Sequence, residues 1–197
     1  MALGESVYTP ATPQNPPRVP WTREEVKACE RAGLWEGLHY ELVNGELINK
    51  MGKNSPHVFG SRQVRHLLEQ IFGWEKVVSE GPIDVAPEDN PTSEPEPDIY
   101  VLRDPKFRSQ PTPVDLMLVV EIADTTLAFD RTTKAALYAR AGIPEYWALD
   151  LNGRRLIVHR EPSGSVYKSV VAYSEQERLA PLAAPEREVL VADLLAF

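Results

Sequence analysis

The chain is poor in cysteine: among its 197 residues there is one, Cys29. A single thiol excludes an internal disulfide and any thiolate metal cluster, and it suits a reducing compartment. On its predicted helix, Cys29 reads as a small packing residue rather than a nucleophile. Long apolar runs are missing too. No stretch approaches the roughly 18 residues that a membrane helix needs. The segment MALGESVYTPATPQNPPRVP has neither a basic start nor an apolar centre, so it does not read as a secretory signal. The expectation is a cytoplasmic protein with no membrane partner. Positive charge is also scarce, with 21 Lys and Arg against 29 Asp and Glu and a net charge of −8. That counts against a generic nucleic-acid coat protein, which carries a basic surface. It does not count against a metal-dependent enzyme, because clustered carboxylates are what hold the metal. There is no Gly-x-Ser-x-Gly elbow, Walker-type loop or dinucleotide fingerprint. The histidines His39, His57, His66 and His159 show no close metal-ligand spacing.

What is present is a glutamate in the middle of core-type residues: Leu116-Met117-Leu118-Val119-Val120-Glu121-Ile122-Ala123. So short and apolar a run predicts a buried strand. A carboxylate there is costly unless a cation, a proton or a partner compensates it. Two compensating groups flank it. Asp98 opens the strand-like run Asp98-Ile99-Tyr100-Val101-Leu102, and Lys134 lies in the helix-like segment that follows.

The remaining pattern is that of one domain over 21–197 after a mobile, proline-rich tail over 1–20, which holds five prolines. Thr22 and Glu25 have capping-box spacing for a helix from about Arg23 to Ala32, stopped by Gly33. Asn44-Gly45 between apolar-bearing runs predicts a hairpin. Pro56 to Phe72 reads as an amphipathic helix with Val64, Leu67, Leu68 and Ile71 on one face. Val77-Val78, Ile83-Val85, 98–102, 116–122, 145–150, 156–159 and 166–170 read as strands, with a short strand near Val189. Asp130 reads as the N-cap of a helix ending at Ala141. The order of elements predicts an α/β (mixed α+β) fold with helices on the faces of a mixed sheet. Acidic residues concentrate from Glu80 to Asp98, whereas 131–160 is rich in arginine. That contrast reads either as a basic surface beside an acidic pocket or as scatter over a solvated face.

If 98–102 and 116–122 are antiparallel neighbours, Asp98 and Glu121 meet at one end of the sheet. Lys134, early in the next helix, then points back at them. Tyr138 shares its face at i+4, and Arg131 at i−3 completes a polar stripe. Two carboxylates and a lysine suit a Mg²⁺ site for cutting phosphodiesters. Carboxylate oxygens hold the hard cation, which lowers the pKa of a bound water, and the lysine stabilises developing charge. Spacing alone leaves a second reading open, in which Asp98 and Lys134 form a structural salt bridge. His57, after Ser55-Pro56, reads first as a capping or structural residue and second as a pocket residue.

Several strings here resemble the Uma-two-type restriction endonuclease family of the PD-(D/E)XK, or restriction endonuclease-like, nuclease superfamily. They are Tyr40-Glu41-Leu42-Val43-Asn44-Gly45-Glu46-Leu47, Glu94-Pro95-Glu96-Pro97-Asp98, Val120-Glu121, Phe129-Asp130-Arg131-Thr132-Thr133-Lys134, and Tyr138 through Trp147. The resemblance implies an α/β/α core with a central mixed sheet and Mg²⁺-dependent DNA cleavage, with Mn²⁺ as a substitute metal. By position, Pro97-Asp98 matches the PD element and Glu121 opens the (D/E)XK element. The lysine of that element would fall at 123, where this chain has Ala123, so Lys134 on the next helix takes its place. Glu41 matches an extra acidic residue near the metal. The resemblance thus implies Asp98, Glu121 and Glu41 as metal ligands and Lys134 as catalytic, with Tyr138, Arg131, His57 and Glu80 about the pocket. Glu80 stands where the family often has Gln, and Asn44 where it often has Asp. The resemblance also implies a homodimer. The alternative function is a catalytically silent nuclease fold used for binding or assembly.

Overall fold

The computed structural model describes residues 18–50, 55–106 and 109–195; most of the expected N-terminal tail lies outside them. Helix α1 (Arg23–Arg31) starts at the Thr22–Glu25 capping box and ends before Gly33, whose φ is 73°. Strands β1 (Tyr40–Val43) and β2 (Glu46–Asn49) form the expected hairpin. Its turn residues Asn44 and Gly45 both have positive φ, 50° and 77°, as a two-residue turn requires. Helix α2 (Ser55–Phe72) follows.

The main sheet has six strands in the order β3-β4-β5-β6-β7-β8. These are β3 (Val77–Ser79), β4 (Ile99–Leu102), β5 (Leu116–Ala123), β6 (Glu145–Asp150), β7 (Arg155–Ser163) and β8 (Val166–Ser174). All neighbours are antiparallel except β5 and β6. A parallel pair needs a long crossover. Here that crossover is α3 (Leu127–Phe129), a π-helical segment (Asp130–Lys134) and α4 (Ala135–Arg140). A second small pairing, β9 (Arg178–Leu179) with β10 (Val189–Leu190), leads into α5 (Val191–Leu194).

Side chains alternate across the central strands and build two cores. Ile99, Val101, Leu118, Val120 and Ile122 meet Val64 and Leu68 of α2 and Val191 and Leu194 of α5. Tyr100, Val119, Tyr146 and Ala148 meet Ala135, Tyr138 and Ala139 from the crossover. The result is helix, sheet, helix in three layers. β5 is covered on both faces, so its near-continuous apolar run is what a central strand requires.

Two expectations about elements change. Ile83 and Val85 are buried, but the stretch forms no strand. Its backbone donors go to three separate acceptors: Pro95 O, Pro111 O and the Asn90 side chain. The crossover helix begins before Asp130, so that residue sits inside the π-helical segment rather than at an N-cap.

Gly60 sets how closely α2 approaches the sheet. A Cβ there would lie 3.2 Å from a Leu151 methyl and 3.4 Å from Ile122 Cγ2. Gly60→Val therefore overfills this contact and should lower unfolding stability by about 1–3 kcal/mol, measured by urea denaturation. Unchanged stability would mean that α2 is free to move away from the sheet.

Candidate active site

The pairing of Ile99 with Val120 places Asp98, one residue before, opposite Glu121. Pro97 precedes it, where a missing N–H breaks no ladder bond. Both acids lie on the crossover side of the sheet and are buried, at 4% and 3% exposure. The Ile122 N–H donates to Asp98 Oδ2 at 2.8 Å, and His57 Nε2 lies 3.2 Å from the same oxygen. His57 comes from the first turns of α2, and the close packing at Gly60 holds that end of the helix near β5.

Lys134 ends the π-helical segment. The Ala135 N–H bonds to Asp130 O, an i to i+5 step, so this turn is one residue wider than an α-helical turn. Both Asp130 and Lys134 are buried and border the same cavity. Lys134 Nζ lies 2.8 Å from Glu41 Oε1 and 2.8 Å from Glu121 Oε1. The Tyr138 hydroxyl donates to Glu121 Oε1 at 2.8 Å. Glu41 comes from the β1–β2 hairpin and is fixed by the Glu96 N–H, which donates to Oε2 at 3.1 Å. A bridge between Leu42 and Glu94 ties that hairpin to the loop leading into β4. The hairpin, the start of α2, the β4–β5 ends and the crossover thus meet in one cavity of about 390 Å³.

The cavity is crowded with negative charge. Glu41, Asp98, Glu121 and Asp130 border it together with Lys134, Lys50 and His57. Burial pushes the Glu121 carboxyl up to about 8. The Lys134 cation opposes this, and the charges of Asp98, Asp130 and Glu41 add to it. Burial likewise raises Asp130. Asp98 behaves differently: burial acts to raise it, but His57, the Ile122 N–H and Lys50 together hold it well below the usual range. Burial acts to lower Lys134, yet Glu121, Glu41 and Asp130 outweigh it and keep the ammonium protonated.

Among the described residues no three His, Cys, Asp or Glu side chains converge as a complete ligand set. A structural zinc cage is therefore not what this cavity offers. Asp98 and Glu121, facing each other from adjacent strands, fit a hard cation that takes one or two carboxylates and keeps its waters. The donors are oxygens, and among the described residues bordering the cavity acids outnumber lysines, which is the chemistry such an ion requires.

Glu41, Asp98, Glu121, Lys134, Tyr138 and His57 are thus brought together. Arg131 is not: it is exposed and lies within electrostatic reach of His159. In a widened turn, i−3 from Lys134 no longer shares its face. Glu80 is also outside the cavity, exposed at φ 57°, with its N–H bonded to Asp98 O. Its charge is felt at Glu96 instead. Asp130 was missed as a cavity residue. Its i, i+4 spacing to Lys134 was the available signal, masked by its resemblance to an N-cap. Thr126 Oγ1 donates to its Oδ2 at 2.6 Å. Nor does 131–160 form an open basic surface, because Arg140, Arg154, Arg155 and Arg160 pair with Asp89, Glu175, Asp150 and Glu145.

A search of curated proteins found no match. A crystal structure described as a putative nuclease belonging to DUF820, from Anabaena variabilis ATCC 29413, has the same fold. The TM-score is 0.63 at 17% identity, covering 80% of this chain and 89% of that one. The family model Uma2, described as "Putative restriction endonuclease", matches residues 26–192. With most of its length covered, from α1 to α5, the chain belongs to the Uma2 family.

Proposed function

We propose that this protein is a Mg²⁺-dependent endonuclease that hydrolyses DNA phosphodiester bonds in the cavity at the end of β4 and β5. The family description and the similar structure support nuclease activity in general. The observation that carries the finer reading is the buried Lys134 ammonium, 2.8 Å from both Glu41 and Glu121 and beside Asp98. A buried ion cluster is a poor stability device, since well-packed apolar residues often do as well. Its oxygens and its cation suit phosphoryl chemistry.

Asp98 and Glu121 are the residues that would hold Mg²⁺. When bound, the ion lowers the pKa of a bound water and offsets charge on the phosphate. The chain's own groups do the rest. Lys134 presents a fixed positive charge to the phosphate oxygens as negative charge builds there. Glu41 keeps the ammonium protonated and aimed. Tyr138 holds Glu121 in one orientation through its hydroxyl. His57 does the same for Asp98. Burial of the cavity floor strengthens each of these interactions.

Cleavage of supercoiled plasmid with Mg²⁺ or Mn²⁺ tests the reading. Wild type should nick DNA, and Asp98→Asn and Lys134→Gln should each cut at least about 100-fold more slowly while keeping the wild-type circular dichroism spectrum. Equal cutting by all three would remove the assignment. A wild type that binds the metal but cuts no DNA would favour the silent binding module.

Glu121 also sets a pH dependence. Its carboxyl, raised to about 8, holds a proton below that pH and must lose it to bind a cation. Mg²⁺ affinity, measured by calorimetry, should therefore rise between about pH 6 and pH 9, with about one proton released per ion near pH 7. Glu121→Gln should bind more weakly with little pH dependence. A wild-type affinity that falls as pH rises would contradict the protonation assigned to Glu121.

A further inference from the structure

The cavity is bordered by two lysines at different depths. Lys134 is at the floor, its side chain 4% exposed and held by two carboxylates at 2.8 Å. Lys50 is nearer the rim, its side chain 17% exposed. It enters from the same hairpin as Glu41. Glu41 pairs with Ile48 across β1 and β2, so those two side chains share a face. Lys50 lies two residues past Ile48 and returns to that face by the period of a strand. Its backbone N–H bonds to His39 O, which carries the pairing one step beyond β2. Ile48 and Lys50 both border the cavity.

The two ammonium groups also differ in their partners. Lys50 Nζ donates one hydrogen bond, to the Glu96 carbonyl oxygen at 2.6 Å. The Glu96 carboxylate is 3.8 Å away, beyond hydrogen-bond reach. An ammonium carries three donors, so among the described residues two of them have no acceptor. Arg140, Arg154, Arg155 and Arg160, by contrast, each meet a carboxylate within 2.8 Å. Lys50 also acts on Asp98, whose carboxyl it helps to hold low. Its charge therefore reaches one of the two carboxylates proposed to hold the ion. A phosphate entering this cavity passes Glu41, Asp98, Glu121 and Asp130. It needs a cation near the entrance as well as one at the floor, and a lysine on a flexible stem serves phosphate as a point charge.

We propose that Lys50 is a substrate-binding residue. Its ammonium takes a non-bridging oxygen of the DNA phosphate that adjoins the one attacked at the floor. It positions the strand and takes no part in the bond that breaks. The proposal rests on the nuclease reading for what enters the cavity. The contact itself needs no cleavage.

Fluorescence anisotropy of the full chain with a labelled duplex oligonucleotide reads the contact, with Ca²⁺ present as an ion that takes oxygen ligands. Lys50→Gln should weaken binding by roughly tenfold and lower the salt slope by about one. Lys50→Arg should bind within about threefold of wild type. Lys168→Gln, the same charge loss on β8, should bind as wild type does, and circular dichroism should match across variants. In cleavage with Mg²⁺, Lys50→Gln should raise KM by roughly tenfold and leave kcat within about threefold. A purely structural clasp between the hairpin and the Glu96 carbonyl predicts otherwise. Loss of Lys50 would then loosen Glu41 and Asp98, lower kcat and weaken Mg²⁺ binding in calorimetry. On the proposal Lys50→Gln binds Mg²⁺ at least as tightly as wild type, because a positive charge near Asp98 has gone. The proposal is overturned if wild type binds no DNA, if Lys50→Gln binds DNA as wild type does, if Lys168→Gln weakens binding equally, or if the loss falls on kcat and Mg²⁺ affinity. Weakened DNA binding by Lys50→Gln beside a wild type that cuts nothing keeps the contact and removes the nuclease reading. Normal DNA binding by Lys50→Gln beside an Asp98→Asn protein that no longer cuts does the reverse.

Discussion

The Lys134 ammonium lies inside the protein, midway between two glutamates, and the rest of the cavity is arranged around that fact. A buried cation is tolerated only with close partners. Glu41 and Glu121 supply them, and Asp98 and Asp130 border the same cavity, so among the described residues there acids outnumber lysines. Water cannot dissipate charge at that depth. Burial raises the Glu121 carboxyl to about 8, and the charges of Asp98, Asp130 and Glu41 add to the rise. On the proposed reading, a divalent ion held by Asp98 and Glu121 would offset the same charges.

Holding that imbalance in place requires three separate stretches of chain to be fixed independently. The β4–β5 pairing sets Asp98 against Glu121 by register alone. The parallel β5–β6 pair forces a crossover, and the wide turn within it swings Asp130 and Lys134 to the same side. The β1–β2 hairpin brings Glu41 and is fastened from outside the cavity. Arg23 reaches the Ser93 carbonyl, Asp84 and Asn90, and the Gly45 N–H bonds to Thr92 O. Charges in the cavity are therefore positioned mainly by apolar packing and backbone pairing, with the Arg23–Asp84 pair fastening the hairpin's surroundings from outside. Among the described residues no helix is long and apolar enough to cross a membrane.

Much of this could be read from the sequence wherever a local rule decides the structure. Asn44-Gly45 fixed a turn because both residues accept positive φ, and Thr22 with Glu25 fixed a helix start. The apolar run around Glu121 identified a central strand because only a strand covered on both faces is written that way. Reading stopped where tertiary context decides. A π-helical turn follows from no simple residue pattern, so Asp130 passed for a cap and Arg131 for a cavity residue. Ile83–Val85 has strand composition, but its hydrogen bonds go to three scattered acceptors in the two connections flanking β4. The arginine-rich stretch 131–160 read equally as a basic surface or as charge scatter, because sequence does not reveal which acids stand opposite Arg140, Arg154, Arg155 and Arg160. His57 was weighted toward a structural role because nothing local links it to Asp98; that proximity depends on Gly60 drawing α2 onto the sheet.

The proposal that Asp98 and Glu121 hold a divalent cation is tested most directly by anomalous diffraction from crystals soaked in Mn²⁺. The account predicts a single strong peak within coordinating distance of Asp98 and Glu121, lost in crystals of Asp98→Asn. A peak elsewhere on the protein, with none at these two carboxylates, would contradict it.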